Sequence, residues 1–229
     1  LCQKRQILGW NIQMTKMSNS VKPKVGGLNQ SELNLPIVET FHSVQGEGAW
    51  TGTSAFFIRL AGCDVGCPWC DTKESWNVRR HADRSIADLV SEAVQVQPAI
   101  VVITGGEPLM HDLTDLTRSL HTAKLRVHLE TSGAYPLSGT FDWITVSPKR
   151  HKPPQPSIYT HANELKIVVA EALDLEWAEQ QAVYVSPDTL KLLQPEWNTP
   201  DSTALVFDYV LRHPAWRVSL QTHKFLGVR

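Results

Sequence analysis

The chain has 229 residues, with 22 Lys and Arg against 23 Asp and Glu, a formal charge of −1, and 42% hydrophobic residues. That length suits one large domain with a sizeable core. The balanced charge excludes the electrostatic footprint of a nucleic-acid binder, and no apolar run approaches the roughly 20 residues of a membrane span.

Residues 1–34 differ from the rest. Lys4, Arg5, Lys16, Lys22 and Lys24 face a single acid, Glu32, and the apolar residues show no period. This stretch is expected to be a disordered tail, leaving 35–229 as the folded domain. The chain begins at Leu1 with Met14 and Met17 inside, so part of the tail is expected to be translated upstream sequence. Cys2 lies there and is expected to be idle. No signal-peptide pattern is present.

Ile37–Phe41 reads as a first strand and runs into the Gly-rich loop Ser43-Val44-Gln45-Gly46-Glu47-Gly48. Such a loop lets backbone approach a ligand closely. Ser54–Leu60 is a second strand, interrupted by Arg59 near its end. A buried strand-end Arg needs an anion or a carbonyl as partner, either a salt bridge or a substrate carboxylate.

Cys63, Cys67 and Cys70 follow, spaced C-x3-C-x2-C, with Trp69 before the last. Three thiolates leave one iron of a 4Fe–4S cube open to a small molecule. A structural zinc site wants four ligands, and no further Cys or His stands at a suitable spacing nearby. A zinc knuckle short of one ligand, or cysteines buried as small hydrophobes, are the competing readings. Clustered cysteines also point to a reducing compartment, the cytoplasm.

Ser85 caps a helix whose stripe is Ile86, Leu89, Val90, Ala93 and Val94, ended by Pro98. Ala99–Ile103 is a continuous apolar run, the pattern of a strand covered on both faces. It feeds into Thr104-Gly105-Gly106-Glu107-Pro108, where backbone comes to the carboxyl edge of a sheet and Glu107 could accept from an ammonium group. A helix marked by Leu109, Leu113, Leu116 and Leu120 follows. Strands are expected at Leu125–Glu130, Phe141–Val146, Glu164–Ala170, Val183–Val185 and Trp216–Leu220, with a short helix from Asp174 and another at Ser202–Leu211. Residues 221–227 read as a loop that folds over something. Polar residues recur just past the strand ends, the layout of a βα barrel with its site on one rim. The helices are few and short, so the expected fold is α/β, an incomplete barrel of about six mostly parallel strands.

The C-x3-C-x-aromatic-C spacing and the Gly105–Pro108 segment resemble the radical S-adenosylmethionine (SAM) superfamily. The likeness implies that Cys63, Cys67 and Cys70 hold the 4Fe–4S cluster, with SAM on the open iron, Trp69 near the adenine, and Gly105, Gly106 and Glu107 around the methionine amino group. Further segments resemble the 7-carboxy-7-deazaguanine synthases, from about Leu35 to the C-terminus: Phe41–Gly48, Arg59, Cys70-Asp71-Thr72, Thr104–Pro108, Glu130–Gly133, Ser147-Pro148-Lys149 and Gln221–Lys224. This likeness implies a lyase that contracts 6-carboxy-5,6,7,8-tetrahydropterin to 7-carboxy-7-deazaguanine with loss of ammonia, in queuosine biosynthesis and tRNA modification. A radical from SAM would take the hydrogen at C6, and SAM would be re-formed. It further implies Mg2+ at Thr72, substrate contacts at Val44, Gln45, Gly46, Arg59 and Thr104, and SAM contacts at Ser147, Pro148 and Lys149. Gln194, His223 and Arg229 are weaker contact candidates. A flavodoxin- or ferredoxin-type electron donor and a homodimer are expected from the same likeness. The alternative is a radical SAM activase that makes a glycyl radical on a partner enzyme, which would not need the Gln45 loop, Arg59 or Thr72.

Overall fold

The computed structural model describes residues 33–229. The expected tail, 1–34, lies outside the described residues except for Leu33 and Asn34, and Asn34 opens the first strand. In chain order the elements are β1 (Asn34–Val44), β2 (Ser54–Leu60), β3 (Asp83–Ser85), α1 (Ile86–Val96), β4 (Ile100–Gly105), α2 (Thr114–Thr122), β5 (Val127–Thr131), β6 (Trp143–Val146), β7 (Glu164–Val169), α3 (Ala172–Ala182), β8 (Leu190–Pro195), α4 (Ser202–Arg212), β9 (Trp216–Val218) and α5 (Thr222–Leu226).

All nine strands form one open sheet in the order β3-β1-β2-β4-β5-β6-β7-β8-β9. From β2 to β9 the seven strands run parallel, while β1 is antiparallel to both β2 and β3. This is the expected incomplete barrel, with one more parallel strand than anticipated and a two-strand antiparallel edge.

Period-2 alternation separates the two faces of the sheet. On the outer face Phe56, Ile58 and Leu60 of β2, Val101 and Ile103 of β4, Val127 and Leu129 of β5 and Leu165, Ile167 and Val169 of β7 join Leu89, Leu116, Leu120, Ala178 and Val206 of the helices in the main core. The inner face changes character along the strands. At one end it is apolar, with Ala55, Ile100 and Val102 against Trp50 and Phe57. Toward the carboxyl ends it carries Arg59, Thr104, Glu130, Lys166 and Gln194, which line a cleft.

Local signals explain most boundaries. The Ser85 hydroxyl accepts from the Asp88 N–H, and Gln97 ends α1 in the left-handed region at φ 53°. Three expectations are corrected. Val183–Val185 is a turn after α3 with Val183 and Tyr184 exposed; β-branched composition without a partner strand does not make a strand. The strand of this region is β8, Leu190–Pro195, whose Leu, Lys and Gln residues have little β-propensity and are held by pairing with β7. Residues 222–226 form α5 rather than a loop, and α2 starts only at Thr114, because Pro108–Met110 makes a separate 3-10 turn. Among the described residues no helix is long and apolar enough to cross a membrane.

Candidate active site

The carboxyl ends of the parallel strands open into a cleft of about 490 Å3. The loop after β2 brings Cys63, Cys67, Trp69 and Cys70 to its rim, and all three thiols are uncrosslinked and partly buried. Burial pushes the Cys63 and Cys67 thiols up, with Lys149 pulling Cys67 back. As thiolates they call for the positive charge of bound metal.

Beside the cysteines β4 ends in a cradle built for close approach. A Cβ on Gly105 would stand 2.5 Å from the Leu60 carbonyl oxygen, and one on Gly106 would stand 2.8 Å from the Cys63 Cβ. Only glycine lets the strand end lie against the cysteine loop. Glu107 stands at the same turn. It is buried, and its carboxylate accepts from the Leu109 N–H (3.0 Å), Thr131 Oγ1 (2.6 Å), the Ser132 N–H (2.8 Å) and Ser132 Oγ (2.5 Å). With four protein donors on its two oxygens, Glu107 braces the glycine turn against the end of β5. Lys149, also on the cleft, donates from Nζ to the Ser147 carbonyl and Oγ, both at 2.6 Å, and burial holds its amine below the usual lysine range.

The opposite wall is the loop after β1. Gln45 is buried; its Nε2 donates to Glu130 Oε1 (3.2 Å), and its Oε1 accepts the Glu47 N–H (3.2 Å). α5 pins the same loop, since the Thr222 N–H and Oγ1 both donate to the Gly46 carbonyl at 2.8 and 2.9 Å. His223 packs directly on Gly46, where no Cβ fits. Arg59 lies across from Glu39 in the β1–β2 ladder and donates from Nε to Glu39 Oε1 at 3.1 Å. The salt-bridge reading of this Arg is the one observed. It has a salt bridge, and its two Nη nitrogens, without hydrogen bonds among the described residues, remain for an anion in the cleft. Arg229 reaches the other oxygen of Glu39 at 2.6 Å.

Deep in the cleft Lys166 bridges two carboxylates, with Nζ 2.5 Å from Glu47 Oε2 and 3.0 Å from Glu130 Oε2. Their titrations separate. Burial raises both, but Lys166 and Gln221 bring Glu47 down to about 2, while Glu130 is pushed up to about 7 by burial and by neighbouring Glu47 and Glu164, against the pull of Lys166. One fixed cation, one fixed anion and one carboxyl poised near neutrality can together read a flat polar heterocycle and hold or release a proton.

The cleft thus gathers Cys63, Cys67, Cys70, Trp69, Thr72, Gly105, Gly106, Glu107, Ser147, Lys149, Val44, Gln45, Gly46, Arg59, Thr104, Gln194, His223 and Arg229. Pro148 is buried and does not line it. Sequence reasoning assigned no role to Glu47, Glu130 or Lys166. A Lys inside the strand Glu164-Leu165-Lys166-Ile167-Val168-Val169 was the available signal, because a buried cation requires a partner.

A parallel half-barrel with three cysteines and a glycine cradle at its carboxyl edge defines a radical SAM enzyme. The family model "Radical SAM superfamily" matches residues 57–146. Across 197 residues the chain is 57% identical to the 7-carboxy-7-deazaguanine synthase of Synechocystis sp., covering 86% of this chain and 95% of that protein. It is 48% identical to the synthase of Flavobacterium psychrophilum, over 85% of this chain and 92% of that protein. The crystal structure of QueE from Escherichia coli superposes with a TM-score of 0.75 at 34% identity, covering 85% of this chain and 96% of that one. The chain belongs to the 7-carboxy-7-deazaguanine synthase family, and the activase alternative is not favoured.

Proposed function

We propose that this chain converts 6-carboxy-5,6,7,8-tetrahydropterin to 7-carboxy-7-deazaguanine with release of ammonia, feeding queuosine-type tRNA modification. The observation that supports this reading is one cleft lined together by the three-cysteine loop, Arg59 and the buried Glu47–Lys166–Glu130 set. Cys63, Cys67 and Cys70 would hold the 4Fe–4S cluster. The cradle of Gly105 and Gly106, with Trp69, Ser147 and Lys149, would hold SAM, and Glu107 would keep that cradle in shape. When bound, these cofactors supply the hydrogen-atom abstraction. The chain's own residues orient the substrate and exclude water. Arg59 faces the substrate carboxylate with its free Nη groups. Gln45, Gly46 and Thr104 border the ring, and Glu47, Lys166 and Glu130 address its polar edge, with Glu130 able to carry a proton near pH 7. Gln194, His223 and Arg229 complete the wall.

Mg2+ is part of this reading. The Thr72 hydroxyl lines the cleft and donates to Asp71 Oδ1 at 3.1 Å. A single protein oxygen, with the rest from substrate and water, fits the sparse protein ligation of magnesium. Exposed Phe207, Leu211, Val218, Phe225 and Leu226 along α4, β9 and α5 support a homodimer. A flavodoxin- or ferredoxin-type donor would reduce the cluster, and the free thiols suit a reducing compartment, the cytoplasm.

The test is an anaerobic incubation of reconstituted protein with the carboxytetrahydropterin, SAM, Mg2+ and a reductant. The expected result is stoichiometric ammonia and the ring-contracted product. Reductive cleavage of SAM with the pterin left unchanged would refute the assignment.

A further inference from the structure

Glu164 is buried to 1% exposure on the inner face of β7, two residues from Lys166. Among the described residues no cation lies within ion-pair distance of it. Its Oε2 accepts the Ala49 N–H at 2.9 Å, and its Oε1 has no hydrogen-bond partner. Lys166, two residues away, attracts the carboxylate without pairing with it, and burial outweighs that pull; a buried carboxylate with one oxygen unpartnered costs stability, so packing alone gives no reason for a Glu at this position. The residues around it do. Gly48, at φ +67°, lies against the carboxylate so closely that a Cβ would overlap it. The Gly48 N–H donates to Ser219 Oγ at 3.0 Å, and Ser219 Oγ donates to Gln194 Oε1 at 3.0 Å. Gly48 and Ala49 are the return of the loop whose outward part, Gln45 to Glu47, forms a wall of the cleft. α5 and Lys166 hold that wall from the cleft side, and Glu164 holds it from beneath.

We infer that Glu164 is a positioning residue for the substrate loop, holding it through the hydrogen bond that its Oε2 accepts from the Ala49 N–H. An acceptor role predicts that an amide replaces the acid and an alkyl group does not. The inference rests on the substrate reading above.

The experiment compares Glu164→Gln and Glu164→Leu in the reconstituted holoenzyme. It reads kcat and KM for the pterin, 5′-deoxyadenosine formation without pterin, and hydrogen exchange at the Ala49 amide. For Glu164→Leu, KM is expected to rise about tenfold, the effect of leaving one buried donor unsatisfied. Cofactor cleavage should stay within about threefold, the level of a change under 1 kcal/mol, and the Ala49 amide should lose protection. Glu164→Gln should restore both KM and protection. Should the Leu variant not fold, Ala49→Pro removes the donor from the other side of the same hydrogen bond, and the same rise in KM is expected. A Gln variant as impaired as the Leu variant, or Leu and Pro variants that match active wild type, would overturn this inference alone. Wild-type protein that leaves the pterin unchanged overturns the reaction assigned above, and this inference with it.

Discussion

Gly106 and Cys63 approach so closely that a β-carbon on the glycine would sit 2.8 Å from that of the cysteine, and nearer still to the Gly62 carbonyl oxygen. The cysteine loop and the end of β4 are therefore one unit, tied further by the Glu107 N–H donating to the Gly62 carbonyl at 2.8 Å. Gly106→Ala cannot be absorbed by a flexible side chain, because one of the obstructing atoms is backbone. Overpacking of this kind costs about 1–3 kcal/mol. The variant should fold but assemble less cluster, read as lower iron and sulfide per chain after anaerobic reconstitution. Wild-type iron content together with wild-type SAM binding would show that the contact is not limiting.

Arg59 makes its salt bridge through Nε, and the proposed function gives its Nη edge to the substrate carboxylate. Arg59→Ala should raise KM for the pterin by about 10–100-fold, the range for a charge-assisted hydrogen bond of ~1.5–3 kcal/mol. SAM cleavage and cluster content should stay unchanged. Arg59→Lys should fare little better, since an ammonium cannot serve Glu39 and a substrate carboxylate from two edges at once. Steady-state kinetics with an iron assay on the same samples separates these outcomes, and a loss of cluster in either variant would remove the clamp role.

How much could be read beforehand depended on whether the governing interaction was local. The cysteine spacing and the cap of α1 are local patterns, and the Gly105-Gly106 pair is a contiguous motif even though its close approach is to Leu60, Gly62 and Cys63; all of these were visible in the sequence. β8 was missed because Leu190–Pro195 is a strand by virtue of β7 beside it. The brace by Glu107 depends on Thr131 and Ser132, and the trio at Lys166 joins residues 119 and 36 positions apart. Strand alternation places Lys166 on the inner face, but nothing local names Glu47 and Glu130 as its partners.

Thr72 offers a hydroxyl at the cleft, hydrogen-bonded among the described residues to its neighbour Asp71 alone. Thr72→Ala should leave the cluster intact and raise the Mg2+ concentration for half-maximal rate by about tenfold, ~1.4 kcal/mol for one lost ligand. Turnover titrated with Mg2+ checks this. An unchanged midpoint would take the cation away from Thr72.

Glu130 connects the site to folding stability through pH. Its carboxyl titrates near 7 in the folded protein, because burial and neighbouring Glu47 and Glu164 outweigh the pull of Lys166, whereas an ordinary Glu titrates at 4.5. Between those values the folded state binds more protons than the unfolded state, so stability falls as pH rises through the window. Below pH 4.5 both states are protonated and the contribution is fully present; above about 7 it is gone. Glu47 runs the other way: its carboxyl is lowered to about 2, so the stability it adds is present above 4.5 and lost only as pH falls toward 2. Glu130→Gln should therefore cancel a decline that wild-type protein shows between pH 5 and 7.5 without changing behaviour at lower pH. Since ~1 kcal/mol moves Tm by about 2–4 °C in a domain of this size, the two melting curves should diverge by a few degrees across the window. Parallel Tm–pH profiles for wild type and Glu130→Gln, measured anaerobically on the reconstituted proteins, would mean that Glu130 is ionised throughout, and that the proton at the base of the cleft resides elsewhere.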